Sequence, residues 1–235
     1  MNNFIFEDKT KVYFGKGGVK EYLGCLLGNY GETVMLAYGG GSIKRNGVYD
    51  EIMGILNAAG KRIVEFDRIM SNPTYAKVQE GAKLARENHV DLILAVGGGS
   101  VSDCCKVISA QAKLDEDIWE MQYTKHTLPT KFIPLGTIVT VFGTGSEMNN
   151  GAVITNEEKK IKGPLWGAQA DFAFLDPSYT LTVPMKQVIS GAFDTLSHAM
   201  ETYFGKPDEN NLSDDINEAV MRSVIRNIRV LLTDP

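Results

Sequence analysis

Cysteine and histidine are scarce in this 235-residue sequence, which has three of each. Cys25, Cys104 and Cys105 are odd in number and two are adjacent, a spacing that suits neither a disulfide framework nor a Cys-x-x-Cys zinc site. A reducing, cytoplasmic setting is the expectation. A basic block is also missing: 24 Lys and Arg against 29 Asp and Glu leave a net charge of −5, spread along the chain. A surface that tracks a phosphate backbone is thereby excluded, and nucleic acid is not an expected partner. No run approaches the roughly 18 apolar residues of a membrane span. The opening MNNFIFEDKTK has no long apolar stretch behind a basic start, so neither a membrane nor a secretory route is expected. Repeats and low-complexity segments are absent too. What is present is ordinary globular material, 43% apolar and 23% charged, long enough to bury a core without metal or disulfide staples.

Short apolar runs alternate with helical periodicity through the first 180 or so residues. Val34 to Tyr38 is an apolar run that stops at Gly39-Gly40-Gly41, and Ile43 to Ala59 carries Ile43, Val48, Ile52, Ile55 and Leu56 at helical spacing. Ile63 to Phe66 reads as a strand, and Pro73 to Asn88 as a helix with proline at its start. Leu92 to Val96 is continuously apolar, the mark of a strand buried on both faces of a parallel sheet, and a helix from Ser100 to Ala112 follows. Phe132 to Leu135, Val153 to Thr155 and Phe172 to Leu175 are candidates for further strands. This alternation predicts a doubly wound, mostly parallel α/β domain over 1–180, with ligands at the carboxyl ends of its strands. Beyond Asp176-Pro177 the pattern changes to two amphipathic helices, Val183 to Phe204 and Asp214 to Leu232. The expectation for 181–235 is the opening of an all-helical domain.

Two loops share one design. Gly39-Gly40-Gly41-Ser42 and Gly97-Gly98-Gly99-Ser100 each stand between a strand and a helix. Glycines admit an anion close to backbone amides, and a helix start adds unpaired donors and a positive dipole end. One such cluster can be a tight turn and nothing more; two matched clusters point to phosphates. Asp103, three residues after Ser100, is placed to complete an N-terminal cap. Lys44 and Arg45 follow the first loop and, with no acidic residue beside them in sequence, favour an added phosphate, which in a dinucleotide site would mean NADP(H) over NAD(H).

Gly143-Thr144-Gly145-Ser146-Glu147 suits a loop that hydrogen-bonds a ligand, although such residues also cap helices. On the helix after residue 183, Asp194 and His198 stand at i and i+4, a spacing that brings a carboxylate and an imidazole to one divalent cation. The same pair is also an ordinary feature of solvated helix faces. Small and apolar neighbours around it favour the metal. His89 and His126 fall where surface residues are expected.

Taken in order, Phe14-Gly15-Lys16-Gly17, Tyr38 to Lys44, Asn72-Pro73, Gly97 to Asp103, Gly143 to Asn149, Leu175-Asp176-Pro177 and Asp194 with His198, Ala199 and Glu201 resemble the amino-terminal part of the iron-containing (group III) alcohol dehydrogenases, in particular their butanol dehydrogenase branch. The resemblance covers essentially the whole chain. It implies a dehydroquinate synthase-like architecture in which NAD(P) lies on the α/β domain and a divalent metal, Fe2+ first and Zn2+ second, is held by the helical domain. Carried over by position, Gly97, Gly98, Gly99, Ser100 and Asp103 would hold the pyrophosphate, and Gly39, Gly40, Gly41 and Ser42 would lie by the adenosine ribose. Thr140, Thr144 and Ser146 would line the nucleotide channel, with Asn72 and Lys160 also at the cofactor.

Asp194 and His198 would be two of four metal ligands, and no histidine follows His198. The chain is therefore expected to be an amino-terminal part with little activity by itself. Where relatives usually carry a proline, Val139-Thr140-Val141-Phe142 stands instead. The activity implied is NAD(P)(H)-dependent interconversion of small primary alcohols and aldehydes. A small alcohol or aldehyde and a second copy of the chain are the expected partners. A non-catalytic dinucleotide-binding module and a glycerol dehydrogenase-like enzyme are the alternatives.

Overall fold

The computed structural model describes residues 3, 5, 7–205 and 211–233. In chain order the elements are β1 (Lys11–Phe14), α1 (Gly18–Leu27), β2 (Thr33–Tyr38), α2 (Ser42–Arg45), α3 (Val48–Ala58), β3 (Arg62–Phe66), α4 (Tyr75–Glu87), β4 (Leu92–Gly97), α5 (Gly99–Gln111), α6 (Ile118–Tyr123), β5 (Leu135–Val139), β6 (Gly151–Asn156), β7 (Ile161–Trp166), β8 (Phe172–Leu175), α7 (Met185–Tyr203) and α8 (Leu212–Thr233). The chain divides into two compact units, Met1–Thr140 with Gly145–Leu181, and Val141–Thr144 with Thr182–Pro235.

The first unit is built on a six-stranded sheet of order β1-β8-β5-β4-β2-β3, parallel at every pairing. Its central strands are those with continuous apolar runs. In β2 every residue is buried, and alternate side chains serve opposite faces, as the period of two requires. Val34, Leu36 and Tyr38 join Leu23, Ile52 and Leu56 beneath α1 and α3, while Met35 and Ala37 join Ala82, Cys104, Ile108 and Trp119 beneath α4, α5 and α6. Both layers are buried apolar cores, so truncating Leu36 or Ile108 to Ala costs about 2–5 kcal/mol. This is the doubly wound α/β class, with helices on both faces of a parallel sheet.

Several boundaries differ from the sequence expectation, each for a local reason. The single helix expected over Ile43 to Ala59 is two, because Gly47 takes φ +82° at the start of α3, a conformation that ends an α-helix and suits glycine. Strand β5 begins at Leu135 rather than Phe132, since Pro134 has no N–H for a central ladder. A β6-β7 antiparallel hairpin, not foreseen beyond Val153 to Thr155, hides its second strand behind Gly163 and Pro164. Strand β1 and helix α1 likewise lie outside the sequence expectation. Helix α4 starts after Thr74, whose hydroxyl accepts from Lys77 N at 3.2 Å, so Pro73 precedes the cap.

The second unit carries α7 and α8, which pack along one another; Tyr203 Oη donates to Glu218 Oε1 at 3.1 Å. Among the described residues, no helix is long and apolar enough to cross a membrane.

Candidate functional site

The order of the sheet decides where a ligand can sit. From β2 the chain passes outward to β3, then returns to place β4 on the other side of β2. The connections therefore diverge between β2 and β4, a topological switch point that opens a crevice at the strands' carboxyl ends. Tyr38 is the register partner of Val96, so Gly39–Ser42 and Gly97–Ser100 leave the sheet side by side. Gly41 adopts φ +89° ahead of α2. Gly98 is the N-cap of α5, in extended conformation (φ −94°, ψ −168°), and no side chain caps the helix. The first amides of a 13-residue helix are thus available to an anion. Thr140 N donates to Gly97 O at 3.0 Å and Arg68 N to Gly39 O at 3.3 Å, fixing the loops to the ends of β5 and β3.

Asp103 does something other than what sequence spacing suggested. It does not complete a cap at Ser100; its carboxylate accepts from Ser146 Oγ at 2.5 Å and from Val153 N at 2.9 Å. It is committed to the 145–153 segment rather than turned back to the helix N-terminus. Behind it lies Lys106, fully buried, whose ammonium donates to Ser146 Oγ at 2.8 Å, Asn149 Oδ1 at 2.9 Å and Gly151 O at 2.7 Å. Burial pulls its pKa down to about 8, against the opposing pull of Asp103. Ser146, expected to line the channel, is itself buried and joins both charged groups. Lys106 escaped the sequence reading. Its one signal was a cation inside Cys-Cys-Lys-Val-Ile on an otherwise apolar helix.

Other expected residues have simpler settings. Thr140 is buried at the end of β5; Thr144, in the second unit, is exposed. Asn72 (φ +54°) lies next to the β6-β7 hairpin: its Oδ1 accepts from Lys162 Nζ at 2.7 Å, and Thr155 N donates to Pro73 O at 3.0 Å. Lys160 (φ +54°) sits in the hairpin turn. Two motifs near the sheet edge explain each other structurally: Asp176 Oδ2 accepts from Gly17 N at 2.6 Å, tying the chain after β8 to the turn after β1.

Beside the first loop stands a charged cluster that sequence distance concealed. Glu65 on β3 accepts from Tyr38 Oη at 2.5 Å and from Tyr49 Oη at 2.9 Å. Lys44 Nζ lies 3.6 Å from Glu65 Oε2 and over the rings of Tyr49 and Tyr38, 4.5 and 5.1 Å from their centroids. The Tyr38 hydrogen bond leads the effects that hold the Glu65 carboxyl below its usual range. Arg68 Nε, next along the chain, is 3.7 Å from Asp67 Oδ2.

In the second unit, Asp194 Oδ1 and His198 Nε2 are 3.8 Å apart on α7, and His198 Nδ1 is 3.8 Å from Glu201 Oε2. Two ligands about 2.1 Å from one ion can lie up to about 4.2 Å apart, so the pair fits a shared divalent ion. The 141–144 segment backs this face closely. A Cβ on Gly191 would come within 2.6 Å of Phe142 O, one on Gly143 within 3.1 Å of Asp194 Oδ2, and Thr195 Oγ1 donates to Gly143 O at 3.3 Å. Among the described residues, no group of three His, Cys, Asp or Glu is placed to hold a metal.

A parallel sheet whose connections diverge between two glycine loops defines an α/β nucleotide-binding fold. Residues 9–177 match the model of the iron-containing alcohol dehydrogenases, and the chain belongs to that family. Over its whole length it is 43% identical to Probable NADH-dependent butanol dehydrogenase 2 of Bacillus subtilis, covering 60% of that protein. It is 37% identical to the NADPH-dependent aldehyde reductase YqhD of Escherichia coli, with 100% of this chain and 61% of that one aligned. The crystal structure of NADH-dependent butanol dehydrogenase A from Thermotoga maritima superposes with a TM-score of 0.90 at 36% identity, over 98% of this chain and 58% of the other. The chain thus spans about 60% of the length of the curated relatives it matches.

Proposed function

We propose that these residues form the dinucleotide-binding part, 1–180, and the beginning of the metal-binding helical part, 181–235, of an NAD(P)(H)-dependent alcohol dehydrogenase or aldehyde reductase for small primary alcohols or aldehydes. The observation that carries this reading is the Tyr38–Val96 register, which sets two glycine loops side by side at the switch point. The relatives' printed activities, on butanol and on aldehydes, agree with it.

In this account the amides of Gly98, Gly99 and Ser100 bind the pyrophosphate, and Gly39 to Ser42 receive the adenosine ribose. Asp103 and Lys106 act one step back, fixing Ser146 and the start of β6 so that the adjoining loop keeps its shape. Thr140, Asn72 and Lys160 supply polar contacts along the cofactor. Asp194 and His198 are two ligands of a divalent ion, iron before zinc, which when bound supplies Lewis-acid polarisation of a carbonyl or alkoxide oxygen. Glu201, facing the other imidazole nitrogen of His198, orients the ring.

The test pairs NADH and NADPH binding by this chain with aldehyde-dependent NAD(P)H oxidation by a protein extended to the relatives' length, in the presence of iron, zinc or manganese. Binding together with turnover on a C3 to C5 aldehyde supports the reading. Absence of dinucleotide binding overturns it, and binding without turnover under any metal, in a protein extended to the relatives' length, favours a non-catalytic module.

A further inference from the structure

The basic residues after the first glycine loop suggest a phosphate-seeking site when read along the chain, but β3 brings an acid to Lys44, the first of them. Lys44 is answered by Glu65 at 3.6 Å, and Arg68 by Asp67 at 3.7 Å. Glu65 is no passing partner. Two tyrosine hydroxyls, at 2.5 and 2.9 Å, hold its carboxylate in place, and the same two rings receive the Lys44 ammonium. Tyr38 is the last residue of β2, directly before Gly39, so this cluster abuts the loop assigned to the adenosine ribose.

We propose that Glu65 is a specificity-determining residue that turns this site toward NAD(H) and away from NADP(H). The inference rests on the reading of Gly39–Ser42 as the ribose loop. A ribose 2′-hydroxyl asks nothing of Lys44. A 2′-phosphate, carrying nearly two negative charges, must draw Lys44 off a fixed carboxylate and then tolerate that carboxylate nearby. Like charge across a few ångströms of partly solvated space disfavours it. On this proposal Lys44 does not favour NADP(H) as its sequence position suggests: the acid that the loop sequence omits arrives from the neighbouring strand.

Equilibrium dissociation constants for NADH and NADPH, read from nicotinamide fluorescence, test this in the parent chain, in Glu65→Gln, and in Glu65→Gln combined with Lys44→Met. The parent should bind NADH more tightly. Glu65→Gln should tighten NADPH by about fivefold or more, the scale of a single partly exposed charge interaction, with NADH changed less than about twofold. Adding Lys44→Met should remove the gain. An NADPH-preferring parent, an unchanged NADPH/NADH ratio in Glu65→Gln, or a gain that survives loss of Lys44 overturns the proposal. Should Glu65→Gln fail to fold, Lys44→Met decides alone: it leaves Glu65 unbalanced, so NADPH binding should fall several-fold with NADH retained, and equal NADPH affinity overturns it. A parent that binds neither nucleotide refutes the loop assignment itself, and this inference with it.

Discussion

Tyr38 and Val96 are register partners on adjacent parallel strands, so the first residues of both glycine loops emerge next to one another. Neither loop needs the other for its own turn. Their adjacency follows from the strand order, and on the proposed reading it joins two weak anion-binding signals into one site for a dinucleotide.

Gly97 is required for packing. A Cβ there would lie 2.6 Å from Val101 Cγ2, inside the first turn of α5. Gly97→Ala should lower stability by about 1–3 kcal/mol through overpacking, visible as a lower urea midpoint with an unchanged slope. An unaltered midpoint would show that Val101 yields without cost.

Lys106 gives stability a defined pH dependence. Its folded pKa of about 8 lies below the ordinary 10.5, so between those values the unfolded chain holds a proton that the folded chain has released. Stability from this group is therefore lowest at and below about pH 8, rises with pH, and is complete above 10.5. The gap is worth about 3 kcal/mol, at about 1.4 kcal/mol per pH unit. Subtracting the stability profile of Lys106→Met from that of the parent should expose a rise between pH 8 and 10. A flat difference would mean that Lys106 titrates normally.

Much of this is legible in the sequence, for identifiable reasons. Strands β2 and β4 are covered on both faces and must be apolar throughout, and both glycine loops follow them directly. Asp194 and His198 share a helix, so their spacing is their geometry. What escapes is whatever depends on pairing between distant segments. Glu65 lies 21 positions from Lys44 in the chain and meets it only because β3 lies beside β2. Asp103 has a capping position in sequence, yet its carboxylate is taken by Ser146 and Val153, more than 40 residues away. Strand β7 carries glycine and proline, which read as a loop until β6 pairs with it.

On the proposed reading Asp194 and His198 provide two metal donors, short of the three that a catalytic divalent site typically draws from protein. A polypeptide of these 235 residues should therefore bind added iron(II) or zinc(II) weakly and lose it on dialysis, with His198→Ala weakening it further. Metal analysis after dialysis checks this; one retained ion per chain would reveal ligands beyond the pair.

The central claim is that the amides at the start of α5 bind a dinucleotide pyrophosphate, and Gly98 is the residue on which it turns. Its extended backbone (φ −94°, ψ −168°) is open to any residue, so Gly98→Val should fold while its side chain blocks the approach of phosphate. The most direct measurement is a fluorescence titration of NADH against parent and Gly98→Val, with unfolding curves recorded on both. The account predicts saturable one-to-one binding by the parent, weakened by about tenfold or more, about 1.4 kcal/mol, in a variant of near-parental stability. Equal affinity of a folded Gly98→Val for NADH would contradict it.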